Sequence, residues 1–158
     1  MTRRVHEVMT RNPVTVERLT SLAEAARVMR DAGIGDVLVV EEGRLCGILT
    51  DRDLVVRALA EGRDPAETTV QAICSTEPLT VGPDHHVEEA VDLMRRHALR
   101  RLPVQTGSGE LVGIVTLGDL EVERDPGSPL ASIAAAAEEE SHGGRAAGRA
   151  RGTPEGAP

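Results

Sequence analysis

The chain repeats itself. Displaced by 65 residues, Val5, Pro13, Thr15, Val16, Glu24, Ala25, Met29, Arg30 and Val39 fall on identical residues at Val70, Pro78, Thr80, Val81, Glu89, Ala90, Met94, Arg95 and Val104. One residue is then inserted in the turn 106–109. At a displacement of 66, Leu45, Gly47, Ile48, Thr50, Asp53 and Leu54 fall on Leu111, Gly113, Ile114, Thr116, Asp119 and Leu120. A single gap placed in a turn marks a duplicated structural unit. It constrains the fold tightly, because every element assigned to one copy has to exist in the other.

Each copy reads β-α-β-β-α. An extended segment follows a proline, at 14–16 and again at 79–81. Leu22, Ala25, Ala26, Met29 and Ala32 then recur at helical spacing, as do Val87, Ala90, Val91, Met94 and Ala98. Ser21 with Glu24 has the form of a capping box, and Gly33 is a helix stop. Two short strands joined by a polar, Gly-containing turn come next, at 37–40 and 45–49 and at 102–105 and 111–115. A last helix opens at Thr50 and runs to about Glu61; its counterpart opens at Thr116 and stops at Asp125-Pro126-Gly127. A unit of about 60 residues buries too little surface to stand comfortably alone, so the two copies should pack together. The expected fold is mixed α/β (α+β), two repeats forming one pseudo-twofold module. Residues 5–62 are the first repeat, 63–69 a linker, 70–124 the second repeat and 125–158 a flexible tail. A single helix over 130–140 is the only element expected in that tail.

Composition narrows the function. The 158 residues include no Phe, Tyr or Trp, all 18 basic residues are Arg, and the net charge is −8. Binding of single-stranded nucleic acid by base stacking has no rings to use, and the acidic balance argues against a polyanion binder. No apolar run approaches the length of a membrane span. The N-terminus lacks the apolar stretch of a signal peptide, so the expectation is a cytoplasmic protein without membrane or nucleic-acid partners.

The best-matched segments are Gly-Ile-x-Thr-x-x-Asp, at 47–53 and 113–119, each at a strand-to-helix junction. Thr50 and Thr116 sit at helix N-caps, where backbone N–H groups and the helix dipole attract an anion. Asp53 and Asp119 lie one turn on and can accept hydrogen bonds from ribose hydroxyls. The same Thr and Asp residues are favoured at helix starts with no ligand at all.

Found twice at one place in a duplicated unit, these segments, with the strand Leu102-Pro103-Val104, resemble a tandem pair of cystathionine-β-synthase-type (CBS) domains, a Bateman module. The extended pattern resembles small stand-alone bacterial CBS-pair proteins linked to stress or hypoxic responses. The resemblance implies a non-catalytic regulatory module. It would bind an adenosyl ligand such as AMP, ADP or ATP in the cleft between repeats, with no required cofactor, and form a homodimer through the helices beside the motifs. Output would pass to an unknown protein partner. By position the resemblance assigns ribose to Asp53 and Asp119, ribose or phosphate to Thr50 and Thr116, and phosphate to Arg100 and Arg101. The first repeat has Gly35-Asp36 where the second has Arg100-Arg101. An Asp repels phosphate where an Arg binds it, so the site carrying Asp119 should be the better one. Without aromatic rings, adenine would lie between Val16, Val81, Ile48 and Ile114.

Other polar residues read as structural. Asp84-His85-His86 with Glu88 and Glu89 invites a metal, but His86 aligns with the helix cap Ser21 and His85 with Thr20. Cys46 aligns with Val112 and Cys74 with Met9, both apolar slots. No nucleophile–base pair appears, so no catalytic residue is assigned. The competing reading keeps the fold with empty clefts: a ligand-free interaction protein acting as a stress-induced dimer.

Overall fold

The computed structural model describes residues 3–124, the side chains of 121–124 excepted. The tail expected over 125–158, with its helix, lies outside the described residues. The elements run α1 (Val5–Val8), β1 (Thr10–Arg11), β2 (Thr15–Glu17), α2 (Leu22–Ala32), β3 (Asp36–Glu41), β4 (Arg44–Thr50) and a short α3 (Asp51–Asp53). A π-helical turn over Leu54–Leu59 continues α3, and a 3-10 turn spans Val70–Ala72. Then come β5 (Ser75–Thr76), α4 (Val87–His97), β6 (Arg101–Gln105), β7 (Leu111–Thr116) and α5 (Leu117–Arg124).

The helices form where the periodicity places them. Ser21 accepts a hydrogen bond from the N–H of Glu24, and α2 ends at Gly33 in the left-handed region, φ 67°. The second copy ends α4 at Ala98 with φ 53°, so a Cβ-bearing residue holds the same conformation at a steric cost of about 1–2 kcal/mol. Asn12 and Glu77, also equivalent in the duplication, share φ values of 53° and 51°. The repeat thus extends to individual backbone dihedrals. The helix expected from Thr50 to about Glu61 widens after Asp53: Ala60 N–H reaches back five residues to the Val55 carbonyl at 2.9 Å.

The sheets show that the two sequence repeats are not the two packed lobes. One sheet has the order β2-β3-β4-β5, the other β1-β7-β6. Strand β5, from the start of the second repeat, closes the first repeat's sheet at Gly47 and Ile48. Strand β1, from the start of the first, pairs with Gly113 and Ile114 of the second. The cores follow the same exchange. Val70, Ile73 and Cys74 join Val16, Leu22, Met29, Val39 and Leu49 in one. Val5 joins Val81, Met94, Leu102, Val104 and Leu120 in the other. Each fully buried Leu or Val contributes roughly 1.5–3 kcal/mol. Aliphatic residues fill both cores, as the composition requires.

One expected strand is nearly absent. In the first lobe β2 pairs in parallel with β3 over three residues, and Leu38 N–H donates to the Val14 carbonyl at 3.2 Å. The residue equivalent to Leu38 is Pro103, which has no N–H to donate. The extended segment expected at 79–81 therefore shrinks to a single bridge, Val81 to Val104.

The crossing segments explain the motif glycines. A Cβ on Gly47 would stand 2.6 Å from the Ser75 carbonyl oxygen and 2.9 Å from Cys74 Sγ. On Gly113 it would stand 2.8 Å from the Thr10 carbonyl oxygen and 2.6 Å from Met9 Sδ. Since backbone cannot retreat as a side-chain end can, Gly113→Ala should destabilise the protein by about 1–3 kcal/mol. Urea unfolding checks this; an unchanged midpoint would mean that the crossing is loose.

Candidate functional site

At each strand-to-helix junction the motif Thr and Asp bind each other. Thr50 Oγ1 accepts from Asp53 N–H at 3.1 Å, and Asp53 Oδ2 accepts from Thr50 N–H at 3.0 Å. Thr116 and Asp119 repeat the arrangement at 3.1 and 3.1 Å. This is a reciprocal capping box with Asp in place of Glu. One oxygen of each motif Asp is thereby committed to the fold, and Thr116, 1% exposed, is committed entirely. The first helical N–H is committed as well: Asp51 donates to the Gly35 carbonyl at 2.9 Å, and Leu117 to the Arg100 carbonyl at 2.8 Å.

Beyond these shared contacts the junctions differ. In the first repeat, Arg52 N–H donates to Asp51 Oδ1 at 2.8 Å, so an acid occupies the helix start. Asp53 Oδ1 lies 3.7 Å from Arg57 Nε, and Arg57 also donates to the Ile73 carbonyl. In the second repeat the residues equivalent to Asp51, Arg52 and Arg57 are Leu117, Gly118 and Glu123. No carboxylate precedes Gly118 to take its N–H, and no arginine stands one turn beyond Asp119. The start of α5, at Leu117 and Gly118, lines the same cleft as Asp36 and Asp51.

Two adjoining cavities between the lobes share the pair Asp36 and Arg101. A wide cleft of about 540 Å³ is lined by Ile48, Thr50, Asp51, Arg100, Leu117 and Gly118, among others. A narrow slot of about 50 Å³ is lined by Asn12, Pro13, Val14, Ile34, Leu38 and Ile114, with Thr10 at its edge. Asp36 and Arg101 occupy equivalent positions in the repeats and form an ion pair, Arg101 Nε to Asp36 Oδ2 at 3.0 Å.

The site residues expected from sequence separate into groups. Ile48, Thr50, Arg100 and Arg101 line the wide cleft, and Ile114 lines the slot. Asp53, Asp119 and Thr116 are held in the capping boxes, with the second carboxylate oxygen of Asp119 outside the Thr116–Asp119 box. Val16 and Val81, expected against adenine, are instead core residues, 6% and 1% exposed. The residue that lines the slot is Val14, just before strand β2 begins. Leu38 was missed too: β3 is buried on both faces, so its residues divide between core and slot. An unbroken apolar run over 37–40 was the available signal.

His86 precedes α4, where its N–H donates to Glu89 Oε2 at 2.7 Å. Among the described residues, no group of three or more His, Cys, Asp or Glu side chains is placed to hold a metal ion. Burial raises the pKa of both Cys46 and Cys74, which keeps the thiols protonated and unreactive at neutral pH. Among the described residues no helix is long and apolar enough to cross a membrane.

A duplicated β-α-β-β-α unit with exchanged lead strands and a shared cleft defines a paired-repeat module. The chain belongs to the CBS-domain family, whose model matches residues 5–59 and 70–121. It is similar to the CBS domain-containing protein YhcV of Bacillus subtilis, 41% identical over 133 residues that cover 82% of this chain and 94% of that one. It is also similar to hypoxic response protein 1 of Mycobacterium tuberculosis, 34% identical over 115 residues covering 72% and 80%. Among solved structures, Hypoxic Response Protein I with two coordinated zinc ions superposes with a TM-score of 0.69 at 32% identity, covering 78% of this chain and 98% of that one. A CBS domain protein from Pyrobaculum aerophilum complexed with AMP gives a TM-score of 0.67 at 25% identity, covering 85% and 99%. The zinc and the AMP are properties of those proteins.

The capping boxes predict a stability effect independent of any ligand. Thr116→Val, which keeps the shape and removes the acceptor, should cost about 1–2 kcal/mol, and Thr50→Val about 1 kcal/mol. Denaturant unfolding without ligand reads both; two neutral substitutions would show that the boxes add nothing to stability.

Proposed function

We propose that the protein is a non-catalytic regulatory module that binds an adenine nucleotide between its two lobes. The base occupies the slot walled by Pro13, Val14, Ile34, Leu38 and Ile114. The phosphate lies in the wide cleft against Arg100, Arg101 and the start of α5. Asp119 uses its second carboxylate oxygen for the ribose. The observation that carries this reading is the continuity of an apolar slot with a cleft that carries charged side chains, matching the two ends of a nucleotide. The AMP complex of the Pyrobaculum aerophilum relative supports the ligand class. The second repeat is expected to supply the better site, because in the first Asp36 and Asp51 are carboxylates that repel an anion and Arg57 engages Asp53.

Ligand binding confined to the native state raises the melting temperature. AMP at about 100 times its Kd should add about 2.7 kcal/mol, a shift of several degrees. Asp119→Ala should remove most of that ligand-induced shift, and Asp53→Ala should leave most of it. A scan of AMP, ADP and ATP that moves the transition with none of them would favour the competing reading, a ligand-free interaction protein.

Self-association is the second part of the proposal. Val55, Val56 and Leu59 stand exposed on the π-helical turn beside the first motif, Leu59 at 75%. A second copy covering this face would form the expected homodimer and give nucleotide binding a route to an unknown partner. The charge introduced by Leu59→Glu should convert the dimer to a monomer in analytical ultracentrifugation; a dimer that persists would place the interface elsewhere.

A further inference from the structure

The Asp36–Arg101 pair stands at the threshold of the site. Both residues line the narrow slot and the wide cleft, and their side chains are 28% and 20% exposed. The slot, at about 50 Å³, is far smaller than the roughly 150 Å³ cavity that accommodates a benzene ring. As it stands, the slot is too small to enclose a purine. The two guanidiniums of Arg100 and Arg101 share the cleft with the two carboxylates of Asp36 and Asp51. The walls are balanced, so a ligand gains from its first phosphate and meets growing repulsion with each one added.

We infer that the Asp36–Arg101 ion pair is a charge-selective gate that admits a nucleoside monophosphate in preference to a triphosphate. This rests on the nucleotide reading above. A single phosphate replaces the Asp36 carboxylate on Arg101, the guanidinium swings with it, and the slot widens for the base. Asp36 is left beside the phosphate, and its charge limits how much further anionic charge the cleft tolerates. The duplication explains why one residue can do both: Asp36 and Arg101 are equivalent positions that diverged to opposite charges and meet where the repeats face each other.

Calorimetric titration of AMP and magnesium-free ATP into the full chain tests the gate. The wild type should prefer AMP. Asp36→Asn should raise ATP affinity about tenfold and AMP affinity less, collapsing the preference, while Asp36→Glu should retain it. In the wild type, raising salt from low to about 0.5 M should narrow the same preference by screening, a readout that needs no variant. If nucleotides bind but the AMP-to-ATP ratio ignores both Asp36→Asn and salt, the gate is wrong and the nucleotide site stands. If neither the wild type nor Asp36→Asn binds either nucleotide, the nucleotide reading falls and the gate with it.

Discussion

The carbonyl oxygens of Thr10 and Ser75 lie so close to Gly113 and Gly47 that no Cβ fits between. Those two crossings tie each repeat's lead segment into the other repeat's sheet. Because β1 belongs to one lobe and the strand that follows it, β2, to the other, neither lobe completes its sheet or its core alone. The chain between them, Asn12 to Val14, has to run along the junction, and there it becomes the wall of the slot. The slot is thus a by-product of the exchange. It is lined by segments whose positions depend on both lobes being folded, which is the arrangement a module needs if occupancy is to be felt across the whole body.

Duplication supplies a near-symmetric cleft, and substitution at a few equivalent positions breaks the symmetry in charge while leaving the backbone alone. The capping boxes, the αL helix stops and the close glycine crossings are retained in both copies. What differs is Asp36 against Arg101, Asp51 against Leu117, Arg52 against Gly118 and Arg57 against Glu123. Asp36 and Asp51 place carboxylates in the first copy where the second has Arg101 and Leu117, while Arg57, absent from the second copy, pairs with Asp53 within the first junction. The hairpin tips keep the lobes aligned meanwhile, with Arg44 donating to the Ser108 carbonyl at 2.8 Å across the junction.

Periodicity made the helices legible, and the turn residues made the hairpins legible, because both are local properties. The capping pairs Thr50–Asp53 and Thr116–Asp119 were legible as residue types, although their mutual hydrogen bonds assign one carboxylate oxygen to the fold. The exchange of β1 and β5 was not legible: it is a long-range pairing of two-residue strands, too short to carry any pattern. The near-loss of the strand at 79–81 was written in Pro103, but its meaning depends on knowing that Leu38 donates at the equivalent place. Val16 and Val81 were misplaced for a related reason. An apolar strand residue looks the same whether it faces a core or a ligand, and only the packing of α2 and α4 decides.

The absence of aromatic residues bears on all of this. In the proposed complex, a base held by Pro13, Val14, Ile34, Leu38 and Ile114 would gain dispersion and burial but no ring stacking, which elsewhere is worth about 1–3 kcal/mol per base. Ribose and phosphate then have to supply a larger share of the affinity. That share is electrostatic, and in a cleft whose arginines face carboxylates it is a difference between opposing terms. A small change in ligand charge consequently moves a large fraction of the total. On the proposed nucleotide reading, an aliphatic slot beside a charge-balanced cleft would respond to the phosphate end of the ligand more sensitively than to its base.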